Sequence, residues 1–162
     1  MNKSDNNIVS ELRSKYGENA ILYEQVTRDS TPTIWIDRNN LIHVMRYLKN
    51  EIALPYKMLF DLTAIDERTR TTRNGQPASD FSVVYHLTSF ERNQDIRIKV
   101  ALKESDINIP SITNVWESAN WYEREVFDMF GINFTGHPRL TRILMPKTWK
   151  GHPKERTLCQ SN

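Results

Sequence analysis

The sequence predicts an α+β fold: a two-layer domain with a mixed sheet of about five strands, helices on one side and a helical or extended C-terminal segment. Two periodicities and their order predict it. Over 38–51 the apolar residues Leu41, Val44, Met45, Leu48 and Ile52 recur at three and four, the stripe of a helix buried along one face. Over 56–65, 80–89 and 96–102 the side chains alternate with a period of two, as in strands with one face on a core. The segments follow in the order α-β-β-α-β-β-β, which places helices on one side of a mixed sheet.

Taken in order, residues 8–16 (IVSELRSKY) form a short helix that Gly17 closes as a C-terminal cap. Strands follow at 21–26 (ILYEQV) and 33–36 (TIWI), joined by a turn containing Asp29, Ser30 and Pro32. Asp37 is placed to N-cap the 38–51 helix. In 56–65, Tyr56, Met58, Phe60, Leu62 and Ala64 share one face; Lys57, Leu59, Asp61, Thr63 and Ile65 share the other. In 80–89, Phe81, Val83, Tyr85 and Leu87 oppose Ser82, Val84, His86 and Thr88. In 96–102, Ile96, Ile98, Val100 and Leu102 oppose Arg97, Lys99 and Ala101. The link at 90–95 has hairpin length; that at 66–79 is long, charged and built around Asn74-Gly75, which predicts an exposed arm. The expected organisation is a sheet domain at 1–118, a helix and extension of the same domain at 119–153, and an atypical tail at 154–162.

A chain of 162 residues that is 38% hydrophobic and 26% charged has enough apolar surface for one core. No apolar run approaches the ~20 residues that span a bilayer. The polar start, MNKSDNNIVSELRSKYG, lacks the apolar stretch of a signal peptide, so the chain is expected in the cytoplasm, reaching a membrane only through partners. One cysteine, Cys159, excludes an internal disulfide and an all-cysteine iron–sulfur or zinc site. The net charge of +2 conceals a basic end: Arg139, Arg142, Lys147, Lys150, Lys154 and Arg156 stand against Glu155 alone. Such a run suits nucleic acid, an anionic surface, an acidic partner or plain solvation, and composition does not choose among them.

The informative stretch is 119–153, ANWYEREVFDMFGINFTGHPRLTRILMPKTWKGHP. As a helix, 121–130 places Tyr122, Val126, Met129, Phe130 and Phe127 on one arc, and Arg124, Asp128, Trp121 and Glu125 on the other. Arg124 and Asp128 have the spacing of an ion pair. Glu123 falls inside the apolar arc and must be paired or neutralised there; Arg139 and Arg142 are the candidate partners, returned by the turn at Gly136-His137-Pro138. Glu123, Glu125 and Asp128 are candidates for acid–base work, but Glu123 and Glu125 point about 200° apart, which favours structural ion pairs. His137 and His152 recur in identical Gly-His-Pro tripeptides without further ligands nearby, and read as turn histidines. Gly131 and Gly136 imitate the spacing of a phosphate-binding loop, yet His137-Pro138 replaces the lysine and hydroxyl it requires.

The same residues carry a resemblance. Glu123-Arg124-Glu125, Asp128, Met129-Phe130, His137, Arg142-Ile143-Leu144, then Met145-Pro146 and Trp149-Lys150-Gly151-His152-Pro153, resemble the signature of the C subunit of respiratory complex I, the NADH:quinone oxidoreductase. Upstream, VWESANWYERE, DFSVVYHL and Pro55-Tyr56 through Leu59-Phe60-Asp61-Leu62 are similar to the same protein, and the whole looks most like the N-terminal part of bacterial chains that fuse the C and D subunits. The resemblance implies a non-catalytic docking subunit of the peripheral arm, on the cytoplasmic side of the bacterial inner membrane. Its implied partners are the D subunit (or the D part of a C/D chain) and the B and I subunits. NADH, FMN, iron–sulfur clusters and quinone would belong to partner subunits, with no cofactor in this chain. It further implies that Glu123, Arg124, Glu125, Asp128, Phe130, His137, Arg142, Trp149 and His152 form a subunit interface, with no catalytic, cofactor-binding or metal-ligating residue. The chain departs from the family pattern at Thr141, usually basic or proline, and after Pro153, where it reads Lys-Glu-Arg-Thr-Leu-Cys-Gln-Ser-Asn. A fused chain would continue into the D part, so quinone-pocket residues are expected to lie outside this sequence. Alternatives are the homologous domain of a membrane-bound hydrogenase or formate hydrogenlyase, a nucleic-acid-binding module using the basic run, and a metal-dependent hydrolase built on Asp128 and the two Gly-His-Pro histidines.

Overall fold

The computed structural model describes residues 7–154; most of the expected atypical tail, with Cys159, lies outside the described residues. Helix α1 (Ile8–Tyr16) starts where the Asn7 side chain accepts the Val9 N–H, and stops at Gly17, whose φ of 88° suits glycine and whose N–H donates to the Arg13 carbonyl. Strands β1 (Ile21–Gln25) and β2 (Thr33–Ile36) follow, one residue from the expected bounds at most. Asp37 caps as predicted, accepting the Asn39 N–H at 2.7 Å. The run it opens is not one uniform helix, however. A 3-10 turn at 38–40 leads into α2 (Leu41–Arg46), and a wider π turn at 47–51 ends it. The Ile52 N–H closes on the Tyr47 carbonyl, and Leu48 and Ile52 both remain buried.

The remaining strands are β3 (Met58–Asp66), β4 (Phe81–Ser89), β5 (Gln94–Leu102), β6 (Asn108–Pro110) and β7 (Asn133–Thr135); helix α3 (Ala119–Phe130) lies between the last two. Five strands make one mixed sheet in the order β1-β2-β5-β4-β3, antiparallel throughout except for the parallel pair β2 and β5. The alternation predicted for β4 and β5 holds: Phe81, Val83, Tyr85, Leu87, Ile96, Ile98, Val100 and Leu102 are all buried. They share one core cluster with α1 (Ile8, Leu12), α2 (Leu41, Met45) and α3 (Val126, Phe130), which puts the helices on one side of the sheet. The short parallel pair of β6 and β7 is an addition to the predicted elements; three residues per strand are too few for a visible period.

Two expectations need correction. In β3 a bulge between Leu59 and Asp61 breaks the alternation, so Leu59, Leu62 and Ala64 face the core while Met58 and Phe60 stay exposed. The 67–80 arm is exposed only along its middle. Its first residue, Glu67, is buried, and Gly75 (φ 82°) lies against the Tyr23 ring, so that a Cβ at that position would touch the ring at 3.4 Å, an ordinary van der Waals contact. The arm folds over the sheet face opposite the helices. There Trp35 is fully buried, Lys99 Nζ sits 4.3 Å over its ring and 3.5 Å from Glu67, and Ser82 Oγ donates to Glu67 at 2.6 Å.

Candidate functional site

The predicted C-terminal element is α3 followed, after β7, by a segment that has neither helix nor strand from 136 to 154. Gly131 takes the left-handed conformation (φ 76°) and donates to the Phe127 carbonyl, ending α3; its spacing to Gly136 thus marks a helix stop and a turn, with no phosphate cradle. The irregular segment returns over the end of α3 and is fastened there by polar groups.

Asp128 is the fastening point. Its side chain is wholly buried. One oxygen accepts Arg142 Nη1 at 2.7 Å; the other accepts the backbone N–H groups of Ile143 (3.1 Å), Leu144 (2.8 Å) and Met145 (2.9 Å). Burial raises its affinity for a proton, but these four bonds outweigh that and hold the carboxyl below its ordinary range. The carbonyls that the last turn of α3 leaves unpaired are also taken: His152 Nδ1–H donates to the Asp128 carbonyl at 2.9 Å, and the Lys154 N–H to that of Met129 at 2.7 Å. Arg142 Nη2 closes the loop onto the Gly151 carbonyl at 2.7 Å. The expected ion pair of Arg124 with Asp128 does not form. Arg124 instead donates to the Thr141 carbonyl (3.0 Å), the Thr141 hydroxyl (3.1 Å) and the Arg142 carbonyl (3.4 Å), so the atypical Thr141 supplies a contact that proline could not.

Glu123, one turn and a half earlier, is equally buried but has no cationic partner, contrary to the expectation of Arg139 or Arg142. It accepts the Ser111 hydroxyl at 2.6 Å and the Ile112 N–H at 2.7 Å. His137 Nε2 stands 4.0 Å away. That nitrogen faces the Asn120 carbonyl at 3.2 Å while Nδ1 accepts the Arg139 N–H, so the ring is neutral with its proton on Nε2. Burial lowers the His137 pKa, against the Asn120 bond and helped by nearby Arg124. For Glu123, burial is the dominant effect and pushes the pKa up to about 7, against the two hydrogen bonds it accepts. The other expected site residues divide by exposure. Phe130 is buried, with Lys154 Nζ 5.3 Å over its ring. His152 packs edge-on against Phe127. Glu125 is exposed, as is Trp149 at 48%.

As an acid–base set these groups fail on geometry: Glu123 is enclosed, Asp128 is buried and accepts four hydrogen bonds, and Glu125 stands in solvent. No cluster of three or more metal-ligating side chains occurs among the described residues. What the arrangement can do is fix the shape of a loop. The sequence exposed the two carboxylates and both histidines but missed their partners, because Ser111 and the backbone groups of Ile112, Asn120 and Ile143 through Met145 carry no distinctive residue pattern.

Known proteins resemble this chain in sequence and in fold. Residues 34–158 match the family described as respiratory-chain NADH dehydrogenase, 30 Kd subunit. The chain is 60% identical, over 90% of its length, to the C/D subunit of NADH-quinone oxidoreductase of Acinetobacter baylyi, and 58% identical over the same share to that of Psychrobacter arcticus. Each match covers 24% of the relative, so the chain spans about a quarter of the length of these curated proteins. Among solved structures, the trypsin-resistant fragment (1–134) of Nqo5 superposes with a TM-score of 0.68 at 28% identity, covering 82% of this chain and 96% of that one. A chain of an archaeal respiratory membrane complex, the membrane-bound sulfane sulfur reductase, shares the fold at a TM-score of 0.63 and 21% identity, over 88% of this chain and 74% of the other.

Proposed function

The chain belongs to the family of the 30 kDa subunit of respiratory-chain NADH dehydrogenase, and from that premise we propose that it is an assembly subunit of an NADH:quinone oxidoreductase, without redox chemistry of its own. In this reading it sits in the peripheral arm, on the cytoplasmic side of the membrane. It contacts the D subunit, or the D part of a C/D chain, and the B and I subunits. NADH, FMN, the iron–sulfur clusters and quinone are bound by those partners and the rest of the complex. Among the described residues no helix is long and apolar enough to cross a membrane, so attachment through partners is the route this reading uses.

The observation that carries the proposal is the state of Asp128. A buried carboxylate with four donors is poorly placed to exchange protons and well placed to hold a loop against a helix end. Electron transfer between cofactors in separate subunits needs fixed distances, and rigid loops at subunit contacts supply them. The signature residues thereby acquire two roles. Glu123, Asp128, Phe130, His137 and His152 shape the loop from within, while Glu125 and Trp149 reach its surface, with Arg124 and Arg142 half-buried between.

The test is isolation of the tagged chain from cells that make the complex. Co-purification of flavin- and cluster-bearing subunits is expected, together with NADH oxidation in the assembly and none in the chain alone. Stoichiometric iron or flavin absorbance in the separated chain would overturn the reading. The Acinetobacter and Psychrobacter relatives are quinone oxidoreductases, which favours that assembly over the hydrogenase alternative.

A further inference from the structure

We infer that the outer side of the loop at 139–154 is a docking face for an acidic protein surface, with Leu144 and Trp149 as its apolar anchors. The inference rests on the assembly reading above and deepens it by assigning the face and the partner's chemistry.

The loop is built with its polar groups inward and these two apolar side chains outward. The N–H groups of Ile143, Leu144 and Met145 point into Asp128, Arg142 closes the ring onto Gly151, and His152 binds α3. Leu144 is left 56% exposed and Trp149 48% exposed, although neither is a turn residue that solvent requires. Tryptophan and arginine are enriched at interface centres, and the flanking lysines suit the polar rim around one. The charge is one-sided. From Met129 to Lys154 the sequence contains no aspartate or glutamate, while Arg139, Lys147, Lys150 and Lys154 are all exposed. Among the described residues, Arg142 is the only basic side chain of the loop that pairs with a carboxylate, that of Asp128. Other surface cations have acidic partners: Lys57 pairs with Glu91, and Arg97 with Asp29. The unmatched field of the loop selects an anionic counterpart. Leu144 favours protein over nucleic acid, since a phosphate backbone would use the lysines and leave an aliphatic anchor bare. Because Asp128 already fixes the loop, docking loses little conformational entropy. In the curated relatives the match covers 24% of the protein, so a much larger body shares the polypeptide there and offers a surface within reach.

Zero-length carbodiimide coupling of the assembled complex, with peptides mapped by mass spectrometry, reads the prediction directly, because the reagent joins a lysine amine to a carboxylate in contact. The expected result is Lys147 or Lys150 joined to an aspartate or glutamate outside this domain. Alongside it, the Lys147→Glu/Lys150→Glu variant should lower recovery of the partner subunits about tenfold at low salt, and Trp149→Ala should lower it independently of salt. Arg28→Glu, in the turn between β1 and β2 and away from the loop, serves as the control. Since the altered side chains are exposed, an unchanged thermal transition should show that folding is intact. Wild-type assembly with no such cross-link, or a charge-reversed variant that assembles normally, overturns the docking face while leaving the assembly reading standing. Failure of the wild type to recover any complex subunit overturns both. Salt-dependent binding of the wild type to duplex DNA, lost in the double variant, would replace the acidic protein with nucleic acid.

Discussion

Glu123 and Asp128 are both wholly buried on α3, yet they hold protons differently because they meet different donors. Asp128 collects a guanidinium and three backbone N–H groups; Glu123 has one hydroxyl and one N–H. Since its folded pKa is raised to about 7 from an ordinary 4.5, Glu123 stabilises the fold fully only below about pH 4.5. That contribution declines as pH rises through about 7, and the whole shift corresponds to roughly 3 kcal/mol. Glu123→Gln keeps an acceptor for Ile112 and removes the titration. Its urea-unfolding free energy should therefore gain on the wild type across that window and stay level above it; parallel pH profiles for the two proteins would refute the assignment. Asp128 has the opposite sign. Its depressed pKa stabilises the fold above the ordinary aspartate range and loses that effect as pH falls through the folded value. Asp128→Asn turns an amide toward donors, and should cost about 2–4 kcal/mol in urea unfolding while speeding tryptic cleavage at Lys147 and Lys150. The loop staying protected in that variant would mean that its fastening lies elsewhere.

At the scale of elements, the periodic segments were legible because period reports burial: the core faces of β4 and β5 and the α2 stripe appear in the structure residue for residue, although Ser82 and Lys99 on the opposite face are buried as well. Where the sequence misled, a local pattern met a nonlocal competitor. The β3 bulge shifts Met58 and Phe60 to the open face, and nothing in a run of alternating apolar residues announces an extra residue in the strand. The helical spacing of Arg124 and Asp128 is worth a few tenths of a kcal/mol at an exposed site, too little to compete with Arg142 and three N–H groups at a buried one. The arm at 67–80 reads as exposed because it is charged, but Glu67 and Lys99 are buried together beneath it beside Trp35. Burial lowers the Lys99 pKa, against the opposing pull of Glu67. Removing one member of such a pair leaves the other uncompensated, so Lys99→Met should destabilise by about 3 kcal/mol and speed tryptic cleavage at Arg70 and Arg73 on the exposed middle of the arm. Adding Glu67→Leu should recover much of that loss. A double variant no more stable than the single one would show that the pair itself does not hold the arm.

On the scale of the whole molecule, the core and the loop are held by different forces. The apolar cluster runs from Ile8 to Phe134, and beyond it, among the described residues, only Leu140 packs against the core as a partly buried side chain. The loop depends on hydrogen bonds to Asp128, to the end of α3 and from Arg124. Hydrogen-bonded irregular segments open locally at lower free energy than packed strands, so the two parts should come apart in order. Limited trypsin digestion of the full chain should cut first at Lys147 and Lys150, both exposed and outside regular structure, and leave a resistant core that keeps α1 through β7. The Nqo5 fragment, named as trypsin-resistant, covers 82% of this chain and shows that a core of this fold can survive such treatment. Once the loop is cut away, Asp128 is opened to water and hydrated, so the trimmed core should lose less stability than Asp128→Asn loses with the loop in place. Thermal unfolding of the trimmed core beside that variant separates the cases. A core that unfolds on trimming would make the loop part of the folding unit and not a fitting attached to it. Partner subunits that protect Lys147 and Lys150 from the same digestion would put the loop at the contact.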